Sequence, residues 1–322
     1  MKLTLGIKTE EDFKKAIPSI VYFNHFKAIR FHLESDDNRF NLRQLPFYGG
    51  LICRNADFLV NQCRQLFWNS WSTEHAFLFP KRLGSHDYFK YSLQWGFPQA
   101  YYSVYLSMIA FRETQEKTSD NHEKAIKVFG TGVKDGHYPR AICFHSTGLY
   151  QDFSYHNLSE FDGNLKDFNG LAAINTLADA QLQIGSFLKS TRQRNAIDKR
   201  ERLERANDKE FFSKSGQFLK TFRKAHWDKI YGKIPITSIL NMLYRLRIKA
   251  NYRDIETFLN ADIAFESFHD NLAFIIDYMN FLHEAYFAKV VGEAKYREIL
   301  EGFRQELIED TAIRRFEIIR NL

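Results

Sequence analysis

The residues best suited to chemistry lie in one short stretch, RLRIKANYRD, at positions 245–254. It contains Arg247 and, five residues later, Tyr252, with Asn251 and Arg253 beside it. RNA can be cut by its own 2′-hydroxyl when one group moves a proton near neutral pH and a cation stabilises the crowded phosphate. Histidine suits the first task and arginine the second, whereas a tyrosine, with an ordinary pKa near ~10, needs neighbouring cations. The stretch therefore leaves two interpretations open: a phosphate site formed by Arg247, Tyr252, Asn251 and Arg253, or a helix in which the same residues only pack.

Other groupings of reactive side chains are less specific. Arg140 and His145, in RAICFH, form an alternative arginine–histidine pair, although a chain with eleven histidines produces such a spacing by chance. His137, His145, Asp152 and His156 lie near one another in sequence but lack the HxxxH or HExxH spacing of metal sites. GTGVKDG is not a GxxxxGK[ST] phosphate loop, and HSTG is not a GxSxG nucleophile motif. We expect no metal and no cofactor.

Positive charge is concentrated in one segment. Residues 189–233 contain fourteen Lys and Arg against six Asp and Glu, whereas the whole chain has a net charge of only +6. Such a segment can bind the phosphates of nucleic acid through charge alone, and Trp227 could stack a base. We therefore predict Arg223, Lys224, Lys229 and Trp227 as nucleic-acid-binding residues. The alternative is a solvated helix surface, because the signs alternate along KRERLERANDKE.

Composition indicates a folded protein without disulfides. Hydrophobic residues make up 44% and aromatic residues 16% of the 322 residues, which is enough for a substantial core. Cys53, Cys63 and Cys143 are an odd number without CxxC pairing, which favours reduced, buried thiols. The N-terminus lacks the apolar run of a signal peptide, and NLAFIIDYMNFLHEAYFAKVV is interrupted by charged residues. We expect a cytoplasmic protein with no membrane partner.

The candidate residues must be positioned by helices. In the first, Pro98 is predicted at the helix start, and its apolar face contains Tyr101, Val104, Tyr105, Met108 and Ile109. In the second, Asp120 or Asn121 is predicted to cap, and the buried positions are Ala125, Ile126 and Phe129. His122, at its start, is interpreted as a capping or structural group.

The rest of the chain is also predicted to be helical, with one long loop. The Gly, Asp, Ser and Asn content of 137–170 predicts that loop. A helix is then predicted from 171 to about Trp227, and the RLRIKANYRD helix is predicted to follow a cap at Thr237 or Ser238. Two further helical patterns complete an all-α chain.

Two separated pieces of the sequence resemble a known family. AYYSVYLSMIAFRETQEKTSDNHEKAIKVFGTGVKDG and LYRLRIKANYRDIETF resemble helices of HEPN (higher eukaryotes and prokaryotes nucleotide-binding) domains, through the ordered set of Tyr-Tyr, His122, Phe129 and Arg-Ala-Asn-Tyr. The resemblance covers 98–137 and 236–290. It implies a HEPN-like helical bundle in which the helix at 99–112 packs on the helix at 238–259.

The resemblance divides the chain into three parts. Residues 1–97 become an N-terminal helical extension, residues 98–137 plus 236–322 the HEPN-like bundle, and residues 138–235 an inserted loop and basic helical region. Family members commonly pair their later helices, so the resemblance also implies a homodimer.

The resemblance leaves two functions open. Active HEPN ribonucleases have an Arg followed after four to six residues by His, but here the corresponding positions after Arg247 are Tyr252, Arg253 and Asp254. One expectation is a metal-independent endoribonuclease of a bacterial toxin or antiphage defence system. The other is a non-catalytic sensor or adaptor subunit that binds nucleic acid or a partner protein such as an antitoxin.

Overall fold

A computed structural model describes the chain except residues 1–9, 37–38, 54–56, 85, 116–120, 253–264 and 305–310. The prediction of a mainly helical chain is confirmed. The helices are α1 Glu10–Ser35, α2 Pro46–Gly49, α3 Asp57–Leu83, α4 His86–Glu113, α5 His122–Lys134, α6 Leu177–Arg205, α7 Lys224–Gly232, α8 Ile239–Tyr252, α9 Phe265–Val291, α10 Glu293–Arg304 and α11 Thr311–Ile319. Short 3₁₀ segments lie at Arg39–Gln44, Arg140–Ile142 and Lys209–Phe211.

The centre of the fold is formed by α3, α4 and α9. Helix α9 is apolar around most of its circumference, as its sequence FIIDYMNFLHEAYF indicates, and 20 of its 27 residues are buried. It packs against both α3 and α4, and α1 covers α9 and α6. This arrangement gives one large core that extends over the N-terminal helices and the later ones.

Helix α8 packs on α4 and also contacts α5. The rings of Tyr101 in α4 and Tyr244 in α8 lie 5.4 Å apart, in a tilted arrangement. The packing expected between the helices at 99–112 and 238–259 is therefore present for the described part of the second helix, which ends at Tyr252.

The predicted start of α4 is wrong. Pro98 lies inside the helix, which begins twelve residues earlier at His86. Phe89, Leu93 and Phe97 recur at four-residue spacing before the proline and are each at most 4% exposed. Burial of this apolar face offsets the cost of an internal proline, roughly 3 kcal/mol. The predicted division between residues 97 and 98 thus falls inside one helix.

The predicted loop at 137–170 contains a β-hairpin. Strands β1 (His145–Leu149) and β2 (Asp152–His156) pair antiparallel, with Leu149 opposite Asp152, and β3 (Thr237–Ser238) pairs with the other edge of β1. Gly148 has φ +104°, and a Cβ there would lie 2.0 Å from the Asp152 carbonyl oxygen. The glycine that suggested a loop is required by the close approach of the two strands.

The predicted continuous helix to Trp227 is also wrong, because α6 ends at Arg205. Asn207 has φ 50°, and the N–H of Asp208 donates to the Leu203 carbonyl, an arrangement that closes a helix. The chain then turns back through α7. Residues of α6 and α7, of the loop between them and of the segment just after α7 form a second, smaller core: Ala196, Leu203, Phe211, Ile230, Tyr231 and Ile234.

A buried ion network joins α3, α9 and α11. Arg315 in α11 is 1% exposed and pairs with Glu74 of α3 and Glu284 of α9, both nearly inaccessible. Trp71 and Tyr296 donate further hydrogen bonds to Glu284, at 2.8 and 2.9 Å. The network fixes the terminal helix against the centre of the fold.

Candidate functional site

The two arginines of RLRIKANYRD have different roles. Positions two apart on a helix differ by about 200° in direction, so Arg245 and Arg247 project to opposite sides of α8. Arg245 donates to the Ser190 hydroxyl at 2.8 Å and lies 5.7 Å from the Phe187 ring centroid, both in α6. It therefore ties α8 to α6, and Arg247 faces α4.

Arg247 lies among three tyrosine rings. Its guanidinium carbon is 4.8 Å from the ring centroid of Tyr102, 5.4 Å from Tyr244 and 5.5 Å from Tyr101. Each such contact contributes roughly 0.5–2 kcal/mol. Its Nε and Nη1 atoms are buried and have no hydrogen-bond partner in the part of the chain that the structure describes. Within the described residues, the cation is therefore held by ring faces and not by hydrogen bonds from these two atoms.

His122 belongs to the same cluster. It is the first residue of α5, and the cap is Asn121, whose Oδ1 accepts the Lys124 N–H at 2.9 Å. The capping role suggested for His122 is therefore wrong, and that suggested for Asn121 is confirmed. The His122 ring lies 4.5 Å from Tyr105, and burial and then the charge of Arg247 lower its pKa. His122 is consequently neutral near pH 7.

The direction of the hydrogen bond between Tyr101 and His122 determines which nitrogen of His122 can accept a proton. The Tyr101 hydroxyl lies 2.9 Å from His122 Nδ1, and burial raises the pKa of Tyr101, which keeps it protonated. If Tyr101 accepts from Nδ1–H, the Nε2 lone pair of His122 remains available as a base. If Tyr101 donates to Nδ1, Nε2 carries the hydrogen and becomes a donor. Both forms can act on a phosphodiester.

A small cleft of about 130 Å³ begins at Tyr244 and brings part of the basic segment near this cluster. Lys199 and Arg202 of α6 and Lys233 after α7 line it. Arg202 is paired with Glu123 of α5. The folded chain thus brings residues of the 189–233 segment to the side of α8 that carries Tyr244.

The predicted nucleic-acid-binding residues lie around α7. Arg223 is exposed at its start, while Lys224 pairs with Asp228 at 2.8 Å and Lys229 pairs with Glu210. Trp227 is partly buried, and its ring stacks on Tyr150 with 5.6 Å between centroids. Two lysines are therefore partly neutralised, and Trp227 contributes to the second core.

The remaining predicted residues are not assembled into a described site. The side chains of Asn251 and Tyr252, and the whole of Arg253, lie outside the described residues. Arg140 is exposed, whereas His145 is 5% exposed and its Nδ1 lies 2.9 Å from the Cys143 carbonyl oxygen.

Two of the histidines weighed as metal-ligand candidates lie side by side in the β-hairpin. His145 and His156 stack across β1 and β2 with 4.5 Å between ring centroids. No group of three or more His, Cys, Asp or Glu in the described residues is arranged to hold a metal ion.

None of the helices, over the residues that the structure describes, is sufficiently long and apolar to cross a bilayer. Cys63 and Cys143 are buried as predicted, and Cys53 is exposed.

Sequence reasoning did not identify Tyr105 and Tyr244 as parts of the cluster. Tyr244 precedes Arg247 by three residues, and Tyr105 follows Tyr101 by four, so each pair shares a helix face. That spacing could have identified them once α4 and α8 were paired.

The comparisons with known proteins add no relative: neither the protein-family models nor the curated proteins nor the solved structures give a match to this chain. The chemistry of the cluster formed by Tyr101, Tyr102, Tyr105, His122, Tyr244 and Arg247, here called the Arg247 cluster, is therefore inferred from its geometry.

Proposed function

We propose that the protein binds RNA at the Arg247 cluster and cleaves it as an endoribonuclease. The observation that carries this proposal is the placement of Arg247 close enough to His122 for its charge to lower the pKa of the imidazole, with Nε and Nη1 of Arg247 unpaired among the described residues. A cation beside a neutral histidine is the pair that 2′-hydroxyl attack on a phosphodiester requires.

In the proposed reaction, His122 Nε2 takes the proton of the 2′-hydroxyl as that oxygen bonds to phosphorus. The bond from phosphorus to the 5′-oxygen breaks, and the leaving oxygen takes a proton from water. Arg247 stabilises the additional negative charge on the phosphate oxygens. The products are a 2′,3′-cyclic phosphate and a 5′-hydroxyl end, with no redox change and no net proton change once His122 releases its proton.

The fold-level part of the proposal is a HEPN-like bundle centred on α4, α5, α8 and α9. The packing of α8 on α4 and α5 supports it. With this fold we associate a homodimer and a role in a bacterial toxin or antiphage defence system. Light scattering during gel filtration would test the dimer. Arrest of bacterial growth by the parent, relieved in Arg247→Ala, would test the toxin role.

A second candidate is a non-catalytic module that binds RNA or a partner protein through the same surface. The burial of Arg247 Nε and Nη1 favours it, because these atoms reach a ligand only after a small movement of the side chain. In this case the Arg247 cluster stabilises the contact of α4 with α8 and binds no reacting phosphate.

Purified protein, a mixed RNA pool and EDTA distinguish the two candidates. Cyclic-phosphate ends should appear with the parent and be lost in Arg247→Ala and in His122→Gln. Arg320→Ala, at an exposed arginine, is the matched control and should cleave like the parent. Thermal unfolding of each variant shows whether it is folded. Cleavage that survives in both variants, or is absent in the parent, would rule out the proposed enzyme.

A further inference from the structure

A groove of about 440 Å³ lies between α3 and α4, next to the Arg247 cluster. Trp95, Gln99 and Tyr102 of α4 recur at spacings of four and three, so they share one helix face. The lining residues are Asn69, Ser72, Thr73, Trp95, Pro98, Gln99, Tyr102 and Leu106. None of them is charged, although the chain as a whole is 26% charged residues.

Trp95 is the unusual member of this lining because it is 62% exposed. Trp68 and Trp71, in α3, direct their indole N–H groups to the Ile299 carbonyl and to Glu284. For Trp95, no acceptor of its indole N–H lies among the described residues. A large planar apolar surface facing water is a typical feature of a binding site.

Tyr102 connects the groove to Arg247. It is one of the residues that line the groove, and its ring centroid lies 4.8 Å from the guanidinium carbon of Arg247. Arg247 does not line the groove itself, so a ligand seated there reaches the cation past Tyr102. The side chains that a ligand would meet are neutral and partly aromatic in the groove and positively charged at Arg247.

We propose that this groove binds a nucleobase of single-stranded RNA, stacked on Trp95, with an adjoining phosphate at Arg247. The proposal rests on the function proposed above and adds the form of the substrate. An uncharged groove does not attract phosphate, whereas the indole face suits any base. The amides of Asn69 and Gln99 and the hydroxyl of Ser72 provide donors and acceptors for base edges. A base in a duplex remains stacked on its neighbours and cannot enter.

Binding of labelled RNA to Trp95→Ala and Trp95→Phe tests the site. Single-stranded oligonucleotides should bind Trp95→Ala about tenfold more weakly than the parent, since base stacking is lost. Trp95→Phe should retain most of the affinity, and binding of a blunt RNA duplex should not depend on Trp95. Because stacking involves no counterions, the salt dependence of Trp95→Ala should match the parent. Arg247→Ala should instead reduce the slope of log K against log salt by about one.

The outcomes separate this inference from the proposed function. Parent-like single-strand affinity in Trp95→Ala, together with weakened binding and lost cleavage in Arg247→Ala, would overturn the base site alone. Equal loss of single-strand and duplex binding in Trp95→Ala would also overturn it. A parent protein that binds no RNA at low salt would overturn both proposals. Since Trp95 is exposed, both of its variants should unfold at the temperature of the parent, which thermal scans verify.

Discussion

Replacement of Arg315 by methionine should destabilise the protein more than most single changes. All five N–H donors of this guanidinium are used. Two go to Glu74 at 2.8 Å each, two to Glu284 at 2.8 and 2.9 Å, and one to Asp277 at 3.1 Å. Methionine is an unbranched apolar side chain of similar length, but it supplies none of these donors. Arg315→Met therefore leaves two carboxylates in the core without a countercharge.

The magnitude follows from burial. Glu74 is 2% exposed and Glu284 is 0% exposed, so neither carboxylate can recover its hydration without local unfolding. Removing one partner of a buried ion pair costs about 3–5 kcal/mol. The hydrogen bonds that Trp71 and Tyr296 donate to Glu284 remain in the variant. For Glu284 the cost therefore lies toward the lower end of this range. A loss of this size lowers the urea midpoint by on the order of 1 M.

Urea unfolding of Arg315→Met and Arg314→Met provides the assay. Arg314 pairs with Asp277 at 3.1 Å, but its side chain is 63% exposed, and such a pair contributes at most about 1 kcal/mol.

The destabilisation in Arg315→Met should decrease toward pH 5. Burial raises the pKa of Glu284, and Arg315 is the main charge that opposes this rise, so in the variant protonation of Glu284 should favour the folded state as the pH falls. If the two variants unfold at the same urea concentration, the network does not stabilise the fold as argued.

Two further predictions concern stability. Burial lowers the pKa of His25 and of His283 to about 3, so unfolding should take up protons below pH 6.5, and stability should fall by roughly 2 kcal/mol per histidine between pH 7 and pH 5. Urea titrations at both pH values measure this, and a flat profile would contradict it. Gly185→Ala should cost about 1–3 kcal/mol, because the added Cβ would lie 2.3 Å from the Phe161 ring. Gly232→Ala, with nothing within 4 Å, is its control and should be neutral or slightly stabilising in thermal unfolding.

The helices near the site could be predicted because their signals are local. The apolar positions Ala125, Ile126 and Phe129 of α5 are at most 4% exposed, and the cap at Asn121 has the expected hydrogen bond. The same period in α4 correctly places Tyr101 and Met108 in the core. A helix face depends on residues three and four apart, so a short sequence window contains the information.

The hairpin could not be predicted in this way because its partner is distant in sequence. β1 is completed by Thr237–Ser238, about ninety residues later. Arg192, 3% exposed, donates to the Gly148 carbonyl at 2.7 Å and to the Pro235 carbonyl at 2.9 Å, which fixes the strands against α6. Local composition reports the glycine and the polar residues but not the strand that pairs with them.

In the proposed reaction we assign the role of proton acceptor to His122 and not to Tyr252. An ordinary tyrosine with a pKa near ~10 is ionised in only about one molecule in a thousand at pH 7, which would limit Tyr252 as a base. His122, whose pKa is lowered by burial and by Arg247, is mostly neutral at that pH and needs no prior deprotonation. The histidine that is missing after Arg247 in the sequence can therefore be supplied by α5. Loss of cleavage in His122→Gln with cleavage kept in Tyr252→Phe is the result that this assignment requires. The reverse result would return the proton transfer to Tyr252.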